Sequence, residues 1–182
     1  MTGLTALGMT TAAARAMAQS LAPAAAPRSA MREVQGTGGA LFVAQLKAAG
    51  VKYVFFNPST GDYPIFDALV DEPDIQVIKG IHEGAVVAMA DGYAKATGKP
   101  AVVIVANVGL TNAMTQMINS YKDQIPVLVA VASVDQGIQG RDQLQEAETQ
   151  DVLPNPITKW SWTAKTTEGI PETLRRGRWP SR

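Results

Sequence analysis

Short apolar runs alternate with longer helical patterns along this chain, and this alternation limits the folds open to it. Four runs have the length and β-branched content of strands: Val51–Phe56, Ile75–Ile78, Ala101–Ala106 and Pro126–Ala132. Helical spacing of apolar residues marks Ala40–Ala49, Tyr63–Val70, Glu83–Thr97 and Thr111–Tyr121. Strands that are apolar on both faces and separated by helices form parallel sheets covered on both sides. The chain is therefore predicted to be an α/β domain, with a parallel sheet flanked by helices on both faces.

Composition removes several classes of protein. Sixteen Lys and Arg balance sixteen Asp and Glu, so the chain lacks the positive charge with which proteins bind nucleic acid. No cysteine is present, which excludes disulfides, thiolate metal sites and a cysteine nucleophile. The single histidine, His82, argues against a multi-histidine metal site. No apolar run reaches the ~20 residues that span a bilayer, so no membrane span is predicted.

The two ends of the chain differ from its middle. Residues 1–37 hold eleven alanines and only four charges. They are predicted to be either a disordered tail on a cytoplasmic protein or a targeting segment of an exported one. Residues 38–165 form the predicted domain, and 166–182 a truncated linker or helix. From Ile170 onward four arginines stand against one glutamate, which indicates either a cut or frame-shifted chain or a basic tail that binds a partner.

Ligands bind parallel sheets beyond the carboxyl ends of the strands, which directs attention to the turns there. Glu83 follows the second predicted strand and opens a helix. Its carboxylate could complement the helix dipole, or act as a catalytic carboxyl if a ligand buries it and raises its pKa. His82 is open to a structural or a catalytic role. The turn Asn107–Asn112 could bind an anion or cap the next helix, but no G-x-G-x-x-G or Walker loop occurs at any strand end.

One motif is long enough to suggest a family. It begins His82-Glu83-Gly84-Ala85 and continues from Met89 to Pro100. It is accompanied by Val54–Pro58, which covers the first strand and its turn, and by Asn112–Met114 and Gln145-Glu146. Together these segments make Gly38–Gly177 resemble the N-terminal pyrimidine-binding domain of thiamine-diphosphate-dependent enzymes. The similarity is to the acetolactate synthase, benzoylformate decarboxylase and pyruvate oxidase type. The Asn-Pro pair at 57–58 is most similar to benzoylformate decarboxylases.

The resemblance implies the thiamine-diphosphate-binding fold, a cofactor and a set of roles. Glu83 would be the catalytic residue, hydrogen-bonding N1′ of the aminopyrimidine so that proton exchange there activates the cofactor toward a 2-oxo acid. The residues matching the pyrimidine or substrate pocket are Pro58, Ser59, Glu83, Gly109, Asn112 and Gln145. No metal ligands are expected in this chain, because Mg²⁺ would be held with the diphosphate by a missing or partner domain. A homodimer or such a partner chain is therefore implied.

The chain also departs from the family pattern. Asn107-Val108-Gly109 replaces the usual Gly-Pro-Gly, Val105 stands where threonine is common, and Ser59 and Leu144 replace a glycine and a phenylalanine. The Gly-Asp-Gly motif that holds magnesium and diphosphate does not occur in the sequence.

These departures leave three hypotheses open. The chain is the domain of a 2-oxo acid decarboxylase or acetolactate-synthase-like enzyme and catalytically incomplete alone, or a separate subunit of a two-chain decarboxylase, or a degenerate dimerising scaffold without catalysis. The sequence does not specify which 2-oxo acid is the substrate, or whether carboligation follows decarboxylation.

Overall fold

The computed structural model describes residues 33–178, with the exception of residue 148. The expectations for residues 1–32 and for Trp179-Pro180 lie outside the described residues. Strands and helices alternate along the described part: α1 (Gly38–Ala48), β1 (Tyr53–Phe56), α2 (Tyr63–Val70), β2 (Gln76–Lys79), α3 (Glu83–Thr97), β3 (Ala101–Val105), α4 (Gly109–Lys122), β4 (Val127–Val131) and α5 (Gly169–Arg178). Short 3₁₀ turns lie at Thr60–Asp62 and Asn155–Ile157.

The four strands form one parallel sheet in the order β2-β1-β3-β4. Val54 of β1 pairs with Val102 of β3, and Val102 pairs with Leu128 of β4. All five residues of β3 are buried, as expected for a central strand between two covering layers. The predicted α/β class and parallel sheet are confirmed.

Successive side chains of β1 and β3 point to opposite faces of the sheet, so the buried core is divided between these two faces. Helices α3 and α4 cover one face, where Val86, Leu110 and Met117 pack with Phe55 and Val103 in one buried cluster. Helices α1, α2 and α5 cover the other face and contribute Phe42, Leu46, Leu69 and Leu174 to a second cluster with Val54 and Ile104. The sheet therefore has a helical layer on each side, and the carboxyl ends of its strands open at one edge between these layers.

The two outer strands are unlike each other. Three of the four residues of β2, including Gln76 and Lys79, are exposed, so this strand is less buried than its apolar pattern predicts. Strand β4 is entirely apolar, and all five of its residues are half-buried. A cavity of about 510 Å³ surrounds it and is lined from both faces of the sheet, by Leu110 on one side and Phe42 on the other.

Helix α3 runs over the residues that its sequence pattern predicts, because Gly98 ends it in the left-handed conformation, with φ of 66°. A Cβ built at Gly92, inside this helix, meets nothing within 4 Å among the described residues, so packing within them does not require a glycine there. Among the helices described, none is long and apolar enough to cross a bilayer.

Candidate functional site

Glu83 is the first residue of α3, at the carboxyl edge of the sheet. His82 precedes it in extended conformation and caps the helix, because its Nδ1 accepts a hydrogen bond from the Gly84 N–H at 3.0 Å. The imidazole thereby satisfies one of the backbone donors left open at a helix start. This geometry gives His82 a structural task and places the Glu83 side chain beside α4.

Helix α4 provides the partners of the Glu83 carboxylate. Asn112 donates from Nδ2 to Glu83 Oε2 at 3.0 Å. Gly109 lies directly against the same side chain: a Cβ built there would stand 2.7 Å from Glu83 Oε1 and 2.8 Å from its Cγ. A glycine is needed at this position because any side chain would push the carboxylate aside. Glu83, Gly109 and Asn112, three of the residues predicted for the site, therefore lie in contact.

The alignment of α3 with α4 is maintained by further polar contacts along the two helices. Ser120 donates from Oγ to the buried Asp91 carboxylate at 2.8 Å. Lys95 then bridges Asp91 at 2.7 Å and Asp123 at 2.8 Å. The Ser120–Asp91 and Lys95–Asp123 contacts join positions 29 and 28 residues apart, and the Glu83–Asn112 bond also spans 29, so these three contacts keep the two helices in one register. Polar contacts at Glu83, Asp91 and Lys95 thus tie α3 to α4 along most of its length.

The surroundings of Glu83 favour its ionised form. Partial burial alone would raise the pKa of Glu83. This effect is outweighed by groups that lower the pKa: a backbone N–H, the side chains of Asn112 and Asn57, and the nearby His82. The net result is a pKa below the ordinary value of 4.5. The carboxyl is consequently a hydrogen-bond acceptor in the free chain, and a ligand must remove water from it before it can hold a proton near neutral pH.

Asn57 is a site residue that sequence reasoning missed. It follows β1, its backbone N–H donates to the Ile104 carbonyl at 3.3 Å, and its side chain contributes to lowering the pKa of Glu83. The available signal was the position of the turn Asn57–Gly61 at the carboxyl end of the first predicted strand, but that position does not single out the Asn57 side chain. Of the other predicted residues, Pro58 is exposed, and Ser59 uses its Oγ to accept from the Gly61 N–H at 3.4 Å.

Gln145 lies on the long segment after β4, with a positive φ of 66°. Its side chain is exposed, and its backbone carbonyl accepts a hydrogen bond of 2.6 Å from Asn107 Nδ2. Asn107 and Thr111 do not cap α4 as considered from the sequence. Its N-cap is Val108, with no side-chain hydrogen bond. The asparagine instead ties the Gln145 segment to the end of β3.

The described residues fit one half of the implied cofactor and not the other. A carboxylate and an amide, Glu83 and Asn112, stand next to a glycine that leaves their side uncovered, as a flat heterocycle with a ring nitrogen and an amino group requires. In the described part of the chain, no three His, Asp or Glu side chains are grouped so as to hold a metal ion. A magnesium diphosphate group, which needs oxygen ligands, does not fit there.

The parallel sheet with Glu83 at its carboxyl edge is consistent with a cofactor-binding domain of the thiamine-diphosphate enzyme class. The family model described as "Thiamine pyrophosphate enzyme, N-terminal TPP binding domain" matches residues 36–152. The chain belongs to this family.

Curated relatives and solved structures agree with this assignment. The chain is 38% identical over 144 residues to acetolactate synthase isozyme 3 large subunit of Escherichia coli, covering 79% of this chain and 25% of the relative. It is 36% identical over 141 residues to acetolactate synthase large subunit of Haemophilus influenzae, covering 77% and 24%. The thiamine diphosphate-dependent 4-hydroxybenzoylformate decarboxylase of Rhodococcus jostii superposes with a TM-score of 0.73 at 29% identity, covering 78% of this chain and 27% of that one. The chain thus spans about a quarter of the length of the relatives it matches.

Proposed function

We propose that this chain binds the aminopyrimidine half of thiamine diphosphate, with Glu83 sharing a proton with the ring nitrogen N1′. The observation that carries the proposal is the contact of Glu83 with Asn112 and Gly109 at the carboxyl edge of the sheet. Asn112 holds the carboxylate in one rotamer, and Gly109 keeps the adjoining space free of side chain. These two features suit a planar ligand better than a purely structural carboxylate, which would need neither.

The chain contributes orientation and proton handling, whereas the bound cofactor supplies the electron sink for decarboxylating a 2-oxo acid. In the free chain the pKa of Glu83 is lowered and the carboxylate is ionised. An aromatic ring placed against it removes water and raises that pKa, so that one proton becomes shared between the carboxyl and the ring. Asn112 keeps the carboxylate oxygen directed at the ring during this exchange.

A second protein surface is part of the proposed function. Glu83 is only half-buried and Asn112 is exposed, so the described residues alone do not exclude water from the site. The described residues also lack a metal-binding cluster. We therefore propose that a further domain or a partner chain covers the site and holds the diphosphate with Mg²⁺. The reaction class proposed for that assembly is 2-oxo acid decarboxylation, with or without carboligation.

The role of Glu83 can be tested on this chain by NMR titration with thiamine as the probe. Sharing one proton means that the complex binds more protons than the free partners, so affinity should rise as pH falls from 8 toward 6. Shift changes are expected at Glu83, Gly109 and Asn112. In Glu83→Gln the amide cannot titrate, so binding should weaken and its pH dependence should vanish.

Glu172→Gln is the matched control. This exposed glutamate lies on α5, which covers the opposite face of the sheet. The control should bind thiamine with the affinity and pH dependence of the parent chain. Binding that is equally strong and equally pH-dependent in Glu83→Gln would show that the carboxyl takes no part and would overturn the proposal.

A further inference from the structure

Asn107 is a buried polar residue at the carboxyl end of β3, with an exposed fraction of 6%. Both ends of its side-chain amide are used. Nδ2 donates to the Gln145 carbonyl at 2.6 Å, and Oδ1 accepts from the Val108 N–H at 2.8 Å. The second bond fixes the rotamer, and the first bond then reaches across 38 residues of sequence.

Asn107 bonds to a surface loop, residues 137–147, whose hydrogen bonds are mainly between its own residues. The Glu146 carboxylate accepts from the backbone N–H groups of Gly140 and Gln143, and these bonds lower its pKa. Two residues of the loop, Asp142 and Gln145, have positive φ angles of 55° and 66°. Such conformations are unfavourable for side-chain-bearing residues and persist only where other contacts hold them.

Little else in the described residues holds this loop to the domain. Its residues are mostly exposed, and Leu144 has an exposed fraction of 87%. Within the part of the chain that the structure describes, the bond from Asn107 is the one hydrogen bond between residues 137–147 and the core of the domain. This bond is part-buried, and a hydrogen bond shielded from water is stronger than an exposed one, so it can decide where the loop lies.

We infer that Asn107 is a positioning residue that holds the 137–147 loop at the carboxyl end of β3 and thereby places Gln145 beside the Glu83 site. The inference rests on the proposed function of that site. Gln145 is brought near Glu83 through Asn107, because Gly109, which touches Glu83, is only two residues beyond Asn107. Neither glycine nor alanine at 107 offers a donor for the Gln145 carbonyl, and an aspartate would direct a carboxylate at it.

Paramagnetic NMR on the full chain tests this positioning. The sequence has no cysteine, so Leu144→Cys gives one attachment site for a nitroxide label. In the parent background the label should broaden the backbone amides of Gly109 and Leu110, which begin α4. Adding Asn107→Ala should reduce this broadening several-fold and raise hydrogen exchange across 140–147. Asn107→Asp should act in the same direction.

The control is Asn119→Ala, since Asn119 is exposed on α4 and its side chain bonds only to Gln116 among the described residues. It should leave the broadening unchanged. Unchanged broadening in Asn107→Ala would overturn the inference, and so would loss of broadening together with loss of the sheet amide signals, which would show general unfolding.

Thiamine titration separates this inference from the function on which it rests. Asn107→Ala should weaken thiamine binding several-fold and leave the pH dependence intact, because that dependence belongs to Glu83. Absence of any pH dependence in the parent chain would count against the proposed function alone. A parent-like affinity in Asn107→Ala, with the loop released, would show that the loop has no role at the site.

Discussion

Replacing Gly39 with alanine is expected to destabilise the domain by about 3 kcal/mol, the upper end of the usual cost of overpacking. Gly39 is buried in α1, and a Cβ built on it would stand 1.8 Å from the Pro64 carbonyl oxygen and 2.3 Å from the Pro64 carbonyl carbon. These are backbone atoms of α2, so no side-chain rotation relieves the clash. The two helices must move apart, which disturbs the packing of Phe42 and Leu69 against the sheet.

Urea unfolding of the parent chain and Gly39→Ala measures this difference. The matched control is Gly92→Ala, a glycine-to-alanine change inside another helix. Because nothing lies within 4 Å of a Cβ at Gly92, alanine there should raise the free energy of unfolding by about 1 kcal/mol through its better helix propensity. Equal stabilities for the two variants would show that α1 and α2 do not approach as closely as the structure places them.

This close approach illustrates which parts of the fold the sequence could not predict. Apolar periodicity located every strand and helix between Val51 and Val131. Such periodicity reports the burial of one element at a time. The contact of Gly39 with Pro64 depends on how two helices meet across 25 residues, and no local pattern encodes it. Helix α4 similarly begins at Gly109, two residues before its predicted start, and this first residue lies against Glu83.

The candidate site was likewise only partly predictable from the sequence. Its position followed from a general property of parallel sheets, and the role suggested for Glu83 came from resemblance to a family. The partners of Asn57 and Asn107 were not predicted, because Glu83 and Gln145 lie 26 and 38 residues further along the chain. A turn asparagine is usually explained by its own backbone conformation. Only the folded structure shows that these two side chains are committed to distant groups.

Asp62 carries the second large prediction: Asp62→Asn should stabilise the domain by about 3 kcal/mol at pH 8. Asp62 is fully buried in the turn after β1, and neither oxygen of its carboxylate has a hydrogen-bond partner in the described structure. Burial raises its pKa to about 6, against an ordinary value of 3.8, and the backbone N–H of Ser59 opposes this only in part, because its geometry does not satisfy the carboxylate. Above pH 6 the folded chain must therefore hold an unpaired buried charge, which the asparagine variant avoids.

The sign of the pH dependence follows from the raised pKa. Folding is penalised whenever the carboxyl is ionised, so the penalty is complete above pH 6 and is relieved as the folded form takes up a proton below it. The advantage of Asp62→Asn over the parent should fall to about half by pH 5 and vanish by about pH 3, where both states are protonated. Taking the difference between variant and parent at each pH cancels the titration of the other carboxyls.

Asp91→Asn is the matched control, because Asp91 is equally buried but its carboxylate is paired with Ser120 and Lys95. Removing that charge takes away an ion pair and should lower the free energy of unfolding at neutral pH. Urea unfolding of both variants across this pH range provides the comparison. If Asp62→Asn loses stability at pH 8 as Asp91→Asn does, the Asp62 carboxylate must have a partner that satisfies it, and the picture of an uncompensated buried charge after β1 is wrong.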